Sequence, residues 1–279
     1  MKGLGIVWIV LLCGVAAQAA APVALKPWWT KDQFQTLTKA EDRIAELVNA
    51  ERDKAGRPAL KRNDCLAAAA RQHAVEMAKE NYFSHDSPHA LWRHAHERVY
   101  RAGYWEAYVA ENIVYYMSSA ATGEAELAEV MVHGDHGWMN SPPHRANILN
   151  KEWDETGLGV AAAEGGHKWY ACQLFGRRYW DVTGLTLAAA GDGWVLGGRA
   201  RLLQAADPVY LGRDDQILDT THLEVGQSLD FKLAIPLDGA VHKLGLHPGK
   251  GGDSYWLKFQ WWIDTSKPLD QALAMTPAE

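Results

Sequence analysis

The stretch WMNSPPHRANIL, residues 138–149, places His144 directly behind two prolines. Ser141 is a favourable N-cap, and Pro142 suits the first position of a helix because its missing N–H would be unpaired there in any case. His144 then falls in the first turn, where the partial positive charge of the helix N-terminus disfavours an imidazolium. A neutral imidazole binds a metal ion or accepts a proton, so His144 is a candidate ligand or general base, with a structural role as the alternative.

His85 and Glu111 are the other side chains in this half of the chain that we consider for such chemistry. His85 stands in ENYFSHDSP, residues 80–88, and Glu111 in the apolar segment VAENIVYY, residues 109–116, where a buried carboxylate needs partners. Familiar enzyme signatures are absent, because the sequence has no H-E-x-x-H zinc helix, no G-x-S-x-G nucleophile elbow and no phosphate loop. Any chemistry must therefore come from residues that the fold brings together.

Helices predicted from periodicity and caps must position these residues. Ile44, Leu47 and Val48 recur at helical spacing with charges on the other face, and Gly56 ends that helix. Asn63 is the expected N-cap of the next helix. Together with the short helix that starts at Ser141, the predicted helices cover residues 39–56, 65–80, 90–104 and 123–139.

The rest of the chain has the pattern of strands. ETGLGVAAAE, KWYACQLFG and RRYWDV are short, bounded by glycine and rich in β-forming residues. Beyond about residue 183 helical periodicity ends, and five further strand-like segments alternate with turn residues. A region of this size and pattern predicts a small β-sandwich. We expect the cluster Trp256, Trp261 and Trp262 to belong to its core, with a glycan-stacking platform as the alternative.

Composition and the N-terminus limit the class of protein. The net charge is −6 with 28 Lys and Arg and no basic run, which argues against a nucleic-acid partner. Lys2, the apolar stretch IVWIVLLCGVAA and the small residues of Ala17-Gln18-Ala19 predict a signal peptide over residues 1–19. Its apolar run is shorter than the roughly 20 residues that span a bilayer. We therefore expect a secreted, periplasmic or cell-envelope protein without a transmembrane span in the mature chain.

The predicted signal peptide determines which cysteines remain in the mature chain. Removal of the signal peptide takes Cys13 with it and leaves Cys65 and Cys172. Because an exported chain meets an oxidising environment, we expect a single disulfide between Cys65 and Cys172. Two buried free thiols are the alternative.

Four segments taken together resemble a known family. They are ENYFSHDSP, VAENIVYY, GWMNSPPHRANIL and ETGLGVAAAEGGHKWYACQLFG, and their order resembles the bacterial branch of the CAP superfamily, also called SCP-like domains. The superfamily contains cysteine-rich secretory, antigen 5 and pathogenesis-related proteins. The resemblance covers about residues 40–180 and implies an α+β fold with a three-layer α-β-α sandwich. The expected organisation is a signal peptide at 1–19, a lead-in at 20–38, a CAP-like domain at 39–182, a small all-β domain at 183–268 and a tail at 269–279.

The resemblance also implies a cavity that in many members carries two histidines and two glutamates. Carried over to this sequence, these residues are His85, Glu111 and His144, while the second glutamate has no match. Ser141 is expected to line the same cavity. A divalent metal ion, Zn²⁺ first of all, would then have at most three protein ligands, His85, Glu111 and His144, and would not be obligatory. A hydrogen-bonded polar cluster without metal is the alternative.

Three functions are compatible with these observations. The leading hypothesis is a non-enzymatic extracytoplasmic binding protein whose cavity can hold a divalent cation. The partners expected for it are a lipid, a cell-wall glycan or another surface component. The second hypothesis is a cell-wall or peptide hydrolase that uses Glu111 or His144 as general base. The third is a glycan- or surface-binding protein that acts through its C-terminal β domain.

Overall fold

The structure is a computed structural model that describes residues 23–24, 27, 29–105, 108–205, 208–214, 216–248 and 260–272. The predicted signal peptide and Trp256 lie outside these residues. Within the described part of the chain, no helix combines the length and apolar character needed to cross a membrane.

Helices fill the first half of the chain, and strands dominate the second. Within the described residues the α-helices are α1 Thr38–Lys54, α2 Asp64–Glu80, α3 Ala95–Arg101, α4 Glu124–His133 and α5 Pro142–Leu149. Short 3-10 helices cover Lys31–Gln33, Ala90–Trp92, Trp138–Asn140 and Leu269–Gln271. The strands are β1 Val23–Ala24, β2 Lys61–Arg62, β3 Val109–Met117, β4 Glu155–Ala162, β5 Lys168–Gly176, β6 Trp180–Ala190, β7 Gly193–Leu202, β8 Val209–Arg213, β9 Gln216–Thr221, β10 Ser228–Pro236, β11 Val241–Pro248 and β12 Gln260–Asp264.

The chain divides into two compact units. The first unit contains residues 27–104 and 108–177, and the second contains β1, Trp105 and the residues described from Arg178 onward. The sequence-based boundary near residue 182 lies a few residues further along, inside β6, which begins at Trp180.

The first unit is a three-layer α-β-α sandwich, as predicted. Its sheet has the strand order β2-β4-β5-β3, with β2 and β4 parallel and the other pairs antiparallel. Alternate residues of β5 face opposite layers: Phe175 packs with α1, α4 and α5, whereas Cys172 and Leu174 pack with α2 and α3. This alternation is the period-two pattern of a strand buried on both faces.

Two glycines of β4 allow α2 to lie directly on the sheet. A Cβ atom at Gly157 would lie 2.1 Å from the carbonyl carbon of Leu66, and one at Gly159 would lie 2.4 Å from the backbone nitrogen of Arg71. Any side chain there would push the helix away from the strand. The run Ala67–Ala70 on α2 is the complementary small-residue surface, and all four alanines are buried.

The helix caps and lengths test the sequence predictions in detail. Asn63 caps α2 as expected, since its Oδ1 accepts hydrogen bonds from the backbone N–H groups of Cys65 and Leu66 at 2.9 and 3.1 Å. The third helix is shorter than predicted, because Ala90–Trp92 forms a separate 3-10 turn before α3 begins at Ala95. The segment around Glu111 forms strand β3, which the helix and strand patterns did not identify.

The described residues of the second unit form two antiparallel four-stranded sheets, of order β1-β6-β7-β10 and β12-β11-β8-β9. Phe231 of β10 stacks on Trp261 of β12 with ring centroids 5.3 Å apart, so the two sheets pack face to face. This arrangement confirms the predicted sandwich-like β domain. Trp261 is fully buried, as expected for a core residue, and does not offer a face to a glycan.

Candidate functional site

A buried carboxylate–guanidinium pair forms the centre of the candidate site. Glu111 projects from β3 toward the layer of α2 and α3, and its side chain is 4% exposed. Arg98 Nη2 on α3 donates to Glu111 Oε2 at 2.6 Å, and the Arg98 side chain is fully buried. Burial alone would lower the pKa of Arg98, but the charge of Glu111 outweighs it, so this pKa is raised. The pair is therefore ionised inside the protein.

His85 connects this pair to the surface. Its Nδ1 lies 2.9 Å from Glu111 Oε1, while 55% of its side chain is exposed. The hydrogen bond to Glu111 raises the pKa of His85. Arg98 also donates to the His85 carbonyl oxygen at 3.0 Å and to the Arg93 carbonyl oxygen at 2.6 Å. One buried guanidinium therefore holds both the carboxylate and the loop that presents the imidazole.

Two further buried groups, one on β5 and one on α2, lie close to the Glu111 carboxylate. Cys172 Sγ donates to Glu111 Oε2 at 3.4 Å, and burial raises the pKa of this thiol. His73 Nε2 on α2 lies 4.0 Å from Glu111 Oε1 and donates to the Ser84 carbonyl oxygen at 3.0 Å. Burial, followed by the charge of Arg98, lowers the pKa of His73 to about 4. Both groups are therefore uncharged at neutral pH.

These contacts fix the protonation state of Glu111. Burial alone would raise its pKa, but the charge of Arg98 and the hydrogen bond from His85 outweigh burial and lower the pKa to about 2. The carboxylate is thus a permanent anion whose two oxygens are both engaged. A carboxylate in this state does not take up a proton at ordinary pH, so Glu111 does not suit the role of general base.

His144 lies where the sequence predicts, in the first turn of α5. Ser141 occupies the N-cap position and Pro142 begins the helix, although the Ser141 side chain makes no capping hydrogen bond. The pKa of His144 is lowered, which agrees with the predicted neutral imidazole, but the causes are partial burial and the charge of His85. Asn112 Nδ2 donates to the His144 carbonyl oxygen at 3.0 Å and ties α5 to β3.

The predicted metal set does not fit this arrangement. Among the described residues, no group of three or more His, Cys, Asp or Glu side chains is placed to hold a metal ion. His85 and Glu111 are in contact, whereas His144 is linked to them through the electrostatic effect of His85 on its pKa. Both oxygens of Glu111 already accept hydrogen bonds, one from His85 and one from Arg98. The expected cavity role of Ser141 also finds no side-chain contact with these groups among the described hydrogen bonds.

A second buried carboxylate, Glu76 on α2, fastens the loop that carries His85. It accepts hydrogen bonds from Trp92 Nε1 at 2.7 Å, from the Tyr82 and Ser87 hydroxyls, and from Gln72 Nε2. Three of these donors flank His85 in the chain, since Tyr82 precedes it and Ser87 and Trp92 follow it. The imidazole is therefore presented by a loop whose two halves are tied to one point on α2.

Arg98, His73 and Glu76 belong to the site but are not among the residues predicted from the sequence. A signal for Arg98 exists, because Ala95, Arg98, Val99 and Ala102 follow the spacing of one buried helix face. Arg98, Val99 and Ala102 are indeed buried. A cation on an apolar stripe, in a chain that also holds Glu111 in an apolar segment, indicates a buried ion pair.

The predicted disulfide between Cys65 and Cys172 is not formed in this structure. Cys172 is a buried free thiol in β5. Its sulfur is directed at Glu111 Oε2, and this contact takes the place of a bond to Cys65. Cys65 lies in the first turn of α2 and is half-buried.

Comparisons with known proteins agree with this fold. Residues 45–175 match the CAP model of the cysteine-rich secretory protein family. The chain is 32% identical over 153 residues to the uncharacterized protein YkwD of Bacillus subtilis, covering 55% of this chain and 54% of that protein. It is 31% identical over 133 residues to the uncharacterized membrane protein YlbC of the same organism, covering 47% of this chain and 33% of that protein. The chain thus spans about half or less of these relatives.

A solved structure gives a further match. The chain is 32% identical to an extracellular protein containing an SCP domain from Bacillus anthracis, with a TM-score of 0.39. The match covers 50% of this chain and 41% of that chain.

Proposed function

Residues 45–175 of this chain are a CAP domain of the cysteine-rich secretory protein family, and from this premise we propose that the protein is a non-enzymatic, extracytoplasmic binding protein. Its ligand would contact His85 and His144, the two imidazoles at the outer side of the Glu111 cluster. The extracytoplasmic location rests on the predicted signal peptide.

The proposal rests on the two hydrogen bonds of the Glu111 carboxylate and on its ionised state. Its two oxygens orient His85 and hold Arg98, and its low pKa keeps it ionised. This cluster fixes an exposed imidazole in one position without providing a proton acceptor at the carboxylate. A group positioned this firmly at the surface favours recognition, because little side-chain freedom is lost when a ligand binds.

The hydrolase alternative has less support. Glu111 does not suit the role of base, for the reason given above. His144 is neutral, but among the described residues no side chain hydrogen-bonds to its ring and orients it. An effective general base needs such an orienting partner as well as a suitable pKa.

The ligand classes expected from the sequence are a lipid, a cell-wall glycan and another surface component. Co-sedimentation of the full chain with purified cell-wall glycan, and separately with lipid vesicles, distinguishes the first two. We expect His85→Ala and His144→Ala each to weaken sedimentation. His133→Ala is the matched control, because His133 is also surface-exposed and bonded to carboxylates, but these are Glu51 and Glu129 rather than Glu111.

Two outcomes contradict the proposal. If the unmodified protein releases soluble fragments from the same glycan and His144→Ala abolishes that release, the protein is a hydrolase. If His85→Ala and His144→Ala sediment as well as His133→Ala with every material that the unmodified protein binds, the two imidazoles do not form the binding site.

A further inference from the structure

The charges of the cluster lead to an inference that does not depend on the identity of the ligand. We infer that Arg98 is the resident cation of this site and that its guanidinium takes the place of a metal ion. A divalent cation between His85 and Glu111 would neutralise the carboxylate and hold the imidazole. Both tasks are carried out by groups that the chain itself supplies.

Arg98 performs the tasks of a coordinating ion through four hydrogen bonds. Nη2 donates to Glu111 Oε2 at 2.6 Å and to the His85 carbonyl oxygen at 3.0 Å. Nη1 donates to the carbonyl oxygens of Arg93 and Trp92 at 2.6 and 3.3 Å. The guanidinium therefore links the strand that carries Glu111 to His85 itself and to the end of its loop that precedes α3.

The remaining groups around the site leave no carboxylate oxygen free to coordinate a second cation. Arg98 and Glu111 cancel, and His73 and Cys172 are uncharged. Glu76 is saturated by its four donors. A metal ion needs ligands that are deprotonated and free to coordinate, and a guanidinium at 2.6 Å from the carboxylate competes with it directly.

The carboxylate of Asp86 stands beside His85 in the loop. It is directed instead at His94 Nδ1, 3.1 Å away, and its side chain is 56% exposed. Its charge contributes to the raised pKa of His85, but its hydrogen bond goes to His94, so it offers no oxygen to the Glu111–Arg98 pair.

The inference is tested by exchanging the charge of Arg98. Arg98→Met removes the guanidinium but keeps an unbranched apolar side chain, whereas Arg98→Lys keeps the charge. Zn²⁺ binding to the full chain is measured by equilibrium dialysis. We expect Arg98→Met to bind one Zn²⁺ at least about tenfold more tightly than the unmodified protein, within the range by which neighbouring groups alter metal affinity. Arg98→Lys should behave like the unmodified protein.

Glu111→Gln separates this site from other zinc-binding histidines on the surface. We expect it to abolish the gain when added to Arg98→Met and to leave the Zn²⁺ isotherm of the unmodified protein unchanged. If Arg98→Met does not fold, as judged by circular dichroism, the second comparison still decides. A bound Zn²⁺ in the unmodified protein that Glu111→Gln removes would overturn the inference, and so would a folded Arg98→Met with no gain.

These results are independent of the proposed binding function. Zinc binding is measured without any glycan or lipid, and the co-sedimentation experiments are made without zinc. Failure of His85→Ala to weaken sedimentation would leave the role of Arg98 standing, and a zinc site in the unmodified protein would leave the ligand-binding role of His85 standing.

Discussion

The first unit contains two buried carboxylate–arginine pairs that use the same chemistry for different ends. In one, Arg71 Nη2 lies 2.6 Å from Glu41 Oε2, and the backbone N–H of Val160 donates to Glu41 Oε1 at 3.3 Å. In the other, Arg98 Nη2 lies at the same distance from Glu111 Oε2. The second carboxylate, however, gives its other oxygen to an exposed imidazole. A buried ion pair becomes a candidate site only where, as here, it also hydrogen-bonds a side chain that is exposed to a ligand.

Removal of either carboxylate is the largest change that tests this comparison. Glu41→Ala and Glu111→Ala each leave a buried arginine without its counter-charge, which costs about 3–5 kcal/mol of unfolding free energy. Urea unfolding followed by circular dichroism measures this. We expect similar losses from the two variants, because both arginines are buried and both pairs are equally short.

The two variants should differ only in recognition. Under conditions where both remain folded, Glu111→Ala should weaken co-sedimentation with the ligand, whereas Glu41→Ala should not. Equal weakening by both would show that the effect comes from general loss of stability, and the distinction between the two pairs would then be wrong.

The same comparison shows how far the sequence predicts the molecule. The helix around Ile44 and the Asn63 cap follow from local patterns, and the α-β-α architecture followed from motifs in a recognisable order. The pairing of Glu111 with Arg98 did not follow, because the two residues come from a strand and a helix that meet only through tertiary packing. A disulfide was expected from the cysteine count, but the count does not give the direction in which the Cys172 side chain points.

His73 gives the Glu111 region a pH-dependent contribution to stability. Its pKa is about 4 in the folded protein and ordinary in the unfolded chain, so unfolding takes up a proton as the pH falls. The associated stability is fully present above about pH 6.5 and is lost as the pH falls toward 4, by on the order of 3 kcal/mol. Thermal unfolding between these pH values measures it.

A matched pair of variants isolates this contribution. His73→Gln keeps a donor for the Ser84 carbonyl oxygen but does not titrate, so its stability should fall less between pH 6.5 and 4. Glu41→Gln, which leaves His73 in place, should keep the part of the slope that comes from His73. If His73→Gln retains the slope of the unmodified protein, His73 is not the titrating group.

The pKa of the exposed His85 also depends on Glu111, but its effect on stability is expected to be smaller than that of the buried His73. Its raised folded pKa means that the stability it contributes is present below the unfolded pKa and is lost as the pH rises through the folded value. Since its side chain is 55% exposed, solvent screening limits this contribution to less than about 1 kcal/mol.

The pKa of His85 is therefore best measured directly by NMR titration. We expect Glu111→Gln to lower it toward the ordinary histidine value, because the neutral amide removes the anion that favours the imidazolium. Glu41→Gln should leave it unchanged, since the described side-chain hydrogen bonds of Glu41 and Arg71 go to each other, to Lys31 and to Val160 rather than to the loop. A pKa that is the same in all three proteins would mean that His85 does not engage Glu111 in solution.

The reactivity of the Cys172 thiol is a test that needs no substitution, because this thiol is buried against Glu111. Burial and the neighbouring carboxylate hold Cys172 in the protonated form, and the thiol is a poor nucleophile compared with the thiolate. Iodoacetamide at pH 8 should therefore leave Cys172 unmodified in the native protein and modify it fully after unfolding without a reductant, as followed by peptide mass spectrometry. If modification requires a reductant, Cys172 is half of a disulfide. The hydrogen bond from its sulfur to Glu111 would then be absent, and the cluster would differ from the Glu41 pair in its histidines alone.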